Sequence, residues 1–129
     1  GPMMGLAQYD LSVPCGKGTA SLLAFAGDED RTVANPTCIR CGQCISACPM
    51  NLQPIYMYMY EEKGDIEMMQ KLNLMDCVEC GACTYICPGR LHLTHAFKTG
   101  KAKIQAYNAA LKAREEAAKA KEEEKKEAK

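Results

Sequence analysis

Cys38, Cys41, Cys44 and Cys48, followed by Pro49, return as Cys77, Cys80, Cys83 and Cys87, followed by Pro88. Eight of the nine cysteines in 129 residues thus belong to one repeated word, C-x2-C-x2-C-x3-C-P. Thiolates are soft ligands. This spacing is that of bacterial-type iron-sulfur runs, in which three cysteines hold one cluster and the fourth ligates the other. A cubane needs four thiolates around a compact body, and a tight loop with a cysteine every third residue wraps three corners. If the chain turns helical after the third cysteine, Cys48 lies one turn past Cys44 and faces the neighbouring cluster. Cluster one is then held by Cys38, Cys41, Cys44 and Cys87, and cluster two by Cys77, Cys80, Cys83 and Cys48, each a [4Fe-4S] group. Crossing the fourth ligand ties the two words together and sets the clusters side by side, at the short separation that electron tunnelling requires.

Gly42 and Gly81 follow the second cysteine of each word, where the absence of Cβ lets the backbone approach and aim N–H groups at sulfur. Pro49 and Pro88 donate no amide and aim the chain away. Zinc is the competing metal, but its sites pair C-x2-C knuckles or mix Cys with His, and have no use for a third and fourth cysteine in each word. Disulfides between cysteines this close in sequence would be strained, and the pattern is a ligand pattern. Oxidants attack such clusters, which implies a reducing cytoplasm.

Four thiolates around an oxidised cubane leave about −2 per site, and reduction adds another negative charge. Arg40, Arg90, Lys98 and the basic side of the tail are the nearest compensation in sequence. Arg40 and Glu79 occupy the same slot in the two words, which predicts the higher potential for cluster one and the lower for cluster two.

The elements that must position these ligands are short of core. Apolar residues make up 47%, but there is no Trp, and two Phe stand beside eight Met, so the core must be small and built from Leu, Ile, Met and Ala. Metal is a common supplement to so small a core. Residues 1–27, "GPMMGLAQYDLSVPCGKGTASLLAFAG", contain a short apolar run that reads as a strand. The opening reads as the end of an upstream module in a longer chain. The polar connector "DEDRTVANPT" at 28–37 marks the boundary. Residues 28–98 form the metal domain.

Between the words, Pro54 suits a first helical turn, Gly64 an end, and Leu52, Ile55 and Met59 a helical face with Tyr56 and Tyr60. Tyr56, Tyr58 and Tyr60 also fit a period of two, so a strand stays open. A second short helix is expected from Ile66 to Leu72. Residues 99–129 are Ala/Lys/Glu-rich, with Glu115–Lys119 and Glu122–Lys126 at i, i+4 and no large apolar residue after Leu111. They are expected to be a solvated helix that frays, or an arm ordered by a partner.

The formal charge is zero but uneven. Residues 1–98 carry 7 Lys and Arg against 10 Asp and Glu, and 99–129 carry 9 against 6. A core balance of −3 argues against a nucleic-acid face. No apolar run approaches the roughly 20 residues that span a bilayer. Cys15, without a ligand-spaced neighbour, reads as a packed or idle thiol. His92 and His95 have no third ligand nearby and read as surface residues, and "GKGT" at 16–19 lacks the full phosphate-loop frame.

"NPTCIRCGQCISACPMNLQPIYMY" and "DCVECGACTYICPGRLHLTHAFKTGKAKI", with "VPCGKGTASLLAF" before them, resemble the dicluster region of the C subunit of Rnf electron transport complexes. Cys15, Gly16 and His92 depart from the family's usual residues without touching the ligand pattern. The resemblance implies a mainly α fold, a helical two-cluster ferredoxin-like domain, to which the residues themselves add a short strand-containing N-terminal segment and a charged helical tail. It also implies a peripheral subunit on the cytoplasmic side of the membrane, in a complex that exchanges electrons between ferredoxin and NAD while ions cross. The partners would be other subunits of that complex and ferredoxin or another iron-sulfur subunit. FMN and NADH would bind only in a part upstream of these residues, and the present residues would relay electrons without bond chemistry. A cobalamin-reducing protein of bacterial microcompartments resembles the same family, and a structural metal module displaying the tail is the alternative of a different class.

Overall fold

The computed structural model describes residues 4–5, 8, 10–27, 33 and 35–127, with helix side chains described through residue 119. It is mainly helical: α1 Gln43–Ser46, α2 Pro54–Lys63, α3 Ile66–Lys71, a 3-10 turn Leu74–Asp76, α4 Ala82–Ile86 and α5 Leu93–Glu127. There is no strand among the described residues. The N-terminal strand expected within residues 1–27 is therefore corrected. Leu22, Leu23 and Phe25 lie exposed in irregular backbone, because no described edge is present to complete their hydrogen-bond ladder. Much of the connector read at 28–37, residues 28–32 and 34, lies outside the described residues.

The segment between the two words is helical. Pro54 stands in the first turn of α2, where its fixed φ suits a helix and its missing N–H would have found no partner. Gly64 closes the helix at φ 70°, its N–H donating to the Glu61 carbonyl while Asp65 N–H donates to the Tyr60 carbonyl, a Schellman end. Asp65 then caps α3, its carboxylate accepting from Met68 N–H at 3.0 Å. Neither helix could stand alone at this length.

Burial against α5 supplies what propensity does not. Leu93, Phe97 and Ile104, at i, i+4 and i+11, face Met57 of α2, Met69 of α3 and Leu74 of the 3-10 turn, and all six are at most 1% exposed. Burying each such side chain is worth about 1.5–3 kcal/mol. The face of α2 differs from the sequence expectation: Pro54, Met57 and Glu61 are buried, while Tyr56 and Met59 are exposed. Gly100 lets α5 approach; a Cβ there would stand 2.7 Å from Leu74 Cδ2.

Polar links also fasten α5 along its length. Lys103 pairs with the nearly buried Glu61 at 2.6 Å, and Gln70 Nε2 donates to Asn108 Oδ1 at 3.0 Å. Beyond Leu111 the described side chains of α5 are all exposed. Among the described residues no helix is long and apolar enough to cross a membrane.

Candidate metal centre

The repeated word takes a repeated backbone. Arg40 and Glu79 sit at φ 56° and 55°, Gly42 and Gly81 at 77° and 81°, and Asn51 and Arg90 at 52° and 56°. Each member of a pair holds the same slot in its word. The left-handed turn at Arg40 brings its N–H to Cys38 Sγ at 3.4 Å, and that at Glu79 brings its N–H to Cys77 Sγ at 3.4 Å. Gly42 and Gly81 then cap α1 and α4, which carry Cys44 and Cys83. After each short helix the chain turns back, with Asn51 N–H on the Cys48 carbonyl and Arg90 N–H on the Cys87 carbonyl, both at 3.2 Å.

The structure brings a cysteine of the first word to three of the second. Cys48, Cys77, Cys80 and Cys83 line one cavity, whose other walls are mostly apolar and include Met57 and Phe97 beside Glu79 and Thr94. Burial pushes the Cys83 thiol up to about 11, and the charges of Cys77 and then Cys80 push the same way. The Cys77 thiol is raised by burial, lowered by the Glu79 amide and Lys101, and raised again by Cys48. In the other group, burial raises the Cys44 thiol, the Ile45 amide opposes it, and Cys87 adds to the rise. Cys41 is exposed, whereas Cys38, Cys44 and Cys87 are half-buried.

The donor set and its surroundings fit a cluster. Amide N–H groups reach the sulfurs of Cys38, Cys77 and, from Leu52 at 3.4 Å, Cys48. Such bonds favour sulfur that carries negative charge. Among the described residues no three His, Cys, Asp or Glu side chains gather closely enough to hold a single metal ion. A zinc ion with Zn–S bonds of about 2.3 Å draws its sulfurs in around a point. Four cysteines around one mostly apolar cavity suit a cubane, which takes one thiolate at each of four corners.

Sequence reasoning named Lys98 and the basic side of the tail as compensating charge, but it did not place three parts of this centre. Lys101, on α5, donates to the Cys77 carbonyl at 2.5 Å and pairs with Glu79 at 2.9 Å, while Lys98 stands 3.8 Å from the same carboxylate. Thr84 Oγ1 accepts from Thr94 N–H at 2.9 Å and shares a 2.8 Å hydroxyl contact with Thr94, locking α4 to the first turn of α5. At Gly89 a Cβ would meet the Thr37 carbonyl oxygen, so glycine allows the exit of the second word to cross the entry of the first. A glycine directly after the second C-P was the available signal for the last; the other two depend on where α5 packs. Cys15, His92 and His95 are exposed.

Residues 37–90 match the family described as 4Fe-4S dicluster domain. The chain is 39% identical over 106 residues to the C subunit of the Na(+)-translocating ferredoxin:NAD(+) oxidoreductase complex of Acetobacterium woodii, covering 82% of this chain and 24% of that protein. It is 44% identical over 104 residues to the C subunit of the ion-translocating oxidoreductase complex of Rhodobacter capsulatus, with 81% and 20% covered. With the corresponding protein of Actinobacillus succinogenes it shares 47% over 118 residues, 91% of this chain and 17% of that one. The chain thus spans at most about a quarter of the length of these relatives.

Proposed function

We propose that this chain, a 4Fe-4S dicluster domain homologous to the C subunits of Rnf-type complexes, is the electron-wiring segment of such a protein and holds two [4Fe-4S] clusters. The observation that carries the proposal is the ring of Cys48, Cys77, Cys80 and Cys83, in which the fourth cysteine of one word stands among the first three of the other. The influence of Cys87 on Cys44 supports the reciprocal crossing.

When bound, the clusters supply one-electron oxidation and reduction, with no bond chemistry. The chain's own residues hold and tune them. Left-handed turns at Arg40 and Glu79 aim amides at sulfur, Met57 and Phe97 line the cavity with apolar groups, and the packing of α5 fixes the second loop. Amide bonds to sulfur, burial and nearby charge are the means by which a protein sets a cluster potential.

In the complex, the domain formed by 28–98 would pass electrons to or from other subunits or ferredoxin, on the cytoplasmic face of the membrane. FMN and NADH would bind in the upstream part, to which residues 1–27 would belong, and the resulting current would drive ion transport. The relatives' names, which speak of ion translocation and, in one, of ferredoxin and NAD(+), support the coupling of electron transfer to ion transport.

Iron and acid-labile sulfide per chain, measured after anaerobic purification with an EPR spectrum of the dithionite-reduced protein, test the proposal. About eight of each with interacting signals are expected for two cubanes. Zinc without sulfide in a colourless protein would overturn it and leave a structural module.

A further inference from the structure

The two words have nearly the same backbone but unlike electrostatic surroundings. At the slot before the second cysteine, the first word has Arg40, exposed, and the second has Glu79, half-buried. By that difference alone, cluster two would face an extra negative charge. The fold answers it with α5. Lys101 Nζ lies 2.9 Å from Glu79 Oε1 and 2.5 Å from the Cys77 carbonyl oxygen, and its side chain is only 16% exposed. Lys98 approaches the other carboxylate oxygen at 3.8 Å.

Building on two-cluster binding, we propose that Lys101 is the redox-tuning residue of cluster two: its charge offsets Glu79 and raises that cluster's potential relative to cluster one. Adding one electron to a cluster makes it more negative, so a nearby cation stabilises the reduced form more than the oxidised one, and a nearby anion does the reverse. Salt screens this interaction little, because the cation is largely withdrawn from water. Its bond to the Cys77 carbonyl keeps the charge beside the ligand loop, so Lys101 acts through position as well as charge.

The test is an EPR-monitored titration with dithionite of variants that first show about eight iron and eight sulfide per chain, which separates failure of cluster binding from failure of tuning. In Lys101→Met, one of the two one-electron waves is expected to move to lower potential while the other stays. Lys101→Arg is expected to keep both waves near their original positions. Glu79→Gln leaves the cation and its carbonyl bond in place and is expected to move the same wave upward. Two unmoved waves, or two that move together, in Lys101→Met would overturn the proposal. If Lys101→Met loses iron, Glu79→Gln decides: an upward shift of one wave supports tuning, and unmoved waves overturn it.

Discussion

Gly89 lies so close beneath the carbonyl oxygen of Thr37 that a Cβ on it would overlap that oxygen. At that point the end of the second cysteine word rests on the start of the first, backbone against backbone. Gly100 is also crowded, but the atoms it meets, Leu74 Cδ2, Met69 Sδ and Glu61 Cγ, belong to side chains, which can shift where backbone cannot.

Gly89→Ala is accordingly expected to cost about 3 kcal/mol, the upper end for overpacking, and to reduce the iron retained per chain. Gly100→Ala gains helix propensity and should cost about 1 kcal/mol or less. Thermal unfolding of the two variants under anaerobic conditions, with iron assayed before and after, checks the order. Equal losses would mean that the two words are not held together at Gly89.

Cys48→Ser should disturb the cluster of the second word, and Cys87→Ser that of the first. Each variant is expected to keep the cluster of its own word and to lose or convert the other, halving the iron or changing one EPR signal. Damage confined to the word that carries the substitution would refute the crossed ligand set.

How much of this could be seen without coordinates differs from part to part. The cysteine words are legible because thiolate chemistry dictates their spacing, and Pro54 and Gly64 mark the ends of α2 through backbone preferences that act locally. The buried face of α2 is not legible in the same way: Ile55 and Met59 fit a helical stripe as well as Met57 does, and only the line along which α5 crosses selects Met57. Phe97 and Ile104, inside a segment that grows steadily more charged, are core residues for the same reason. The apolar run around Leu22 has the composition of a strand, yet strand formation depends on a neighbour that composition does not reveal.

Lys103→Met leaves the Glu61 carboxylate without its cation in a nearly buried position. A loss of about 1–2 kcal/mol is expected, since an unmatched buried acceptor costs more than an exposed pair gains. Glu61→Gln added to Lys103→Met should recover part of it, and thermal unfolding of the single and double variants measures the coupling.

Tyr58 introduces an alkaline dependence. Its hydroxyl donates to the Glu62 carboxylate, and that bond, with burial and the nearby negative charges, pushes its pKa up to about 12. The folded value lies above the ordinary one of about 10, so the stabilisation is complete below about pH 10 and is lost as pH rises toward 12. Tyr58→Phe should lower the unfolding midpoint at pH 8 by the equivalent of about 0.5 kcal/mol. The gap between variant and parent should narrow at pH 11, which midpoints at the two pH values will show.

Arg40, Asn51, Glu79 and Arg90 all hold left-handed backbone within three residues of a motif cysteine. Such a conformation costs a non-glycine residue on the order of 1 kcal/mol. The chain therefore concentrates its backbone tension beside the motif cysteines, in the loops proposed to hold the clusters. Loss of a bound cluster would remove whatever offsets that cost, so amide exchange at these four turns is expected to quicken in protein stripped of iron.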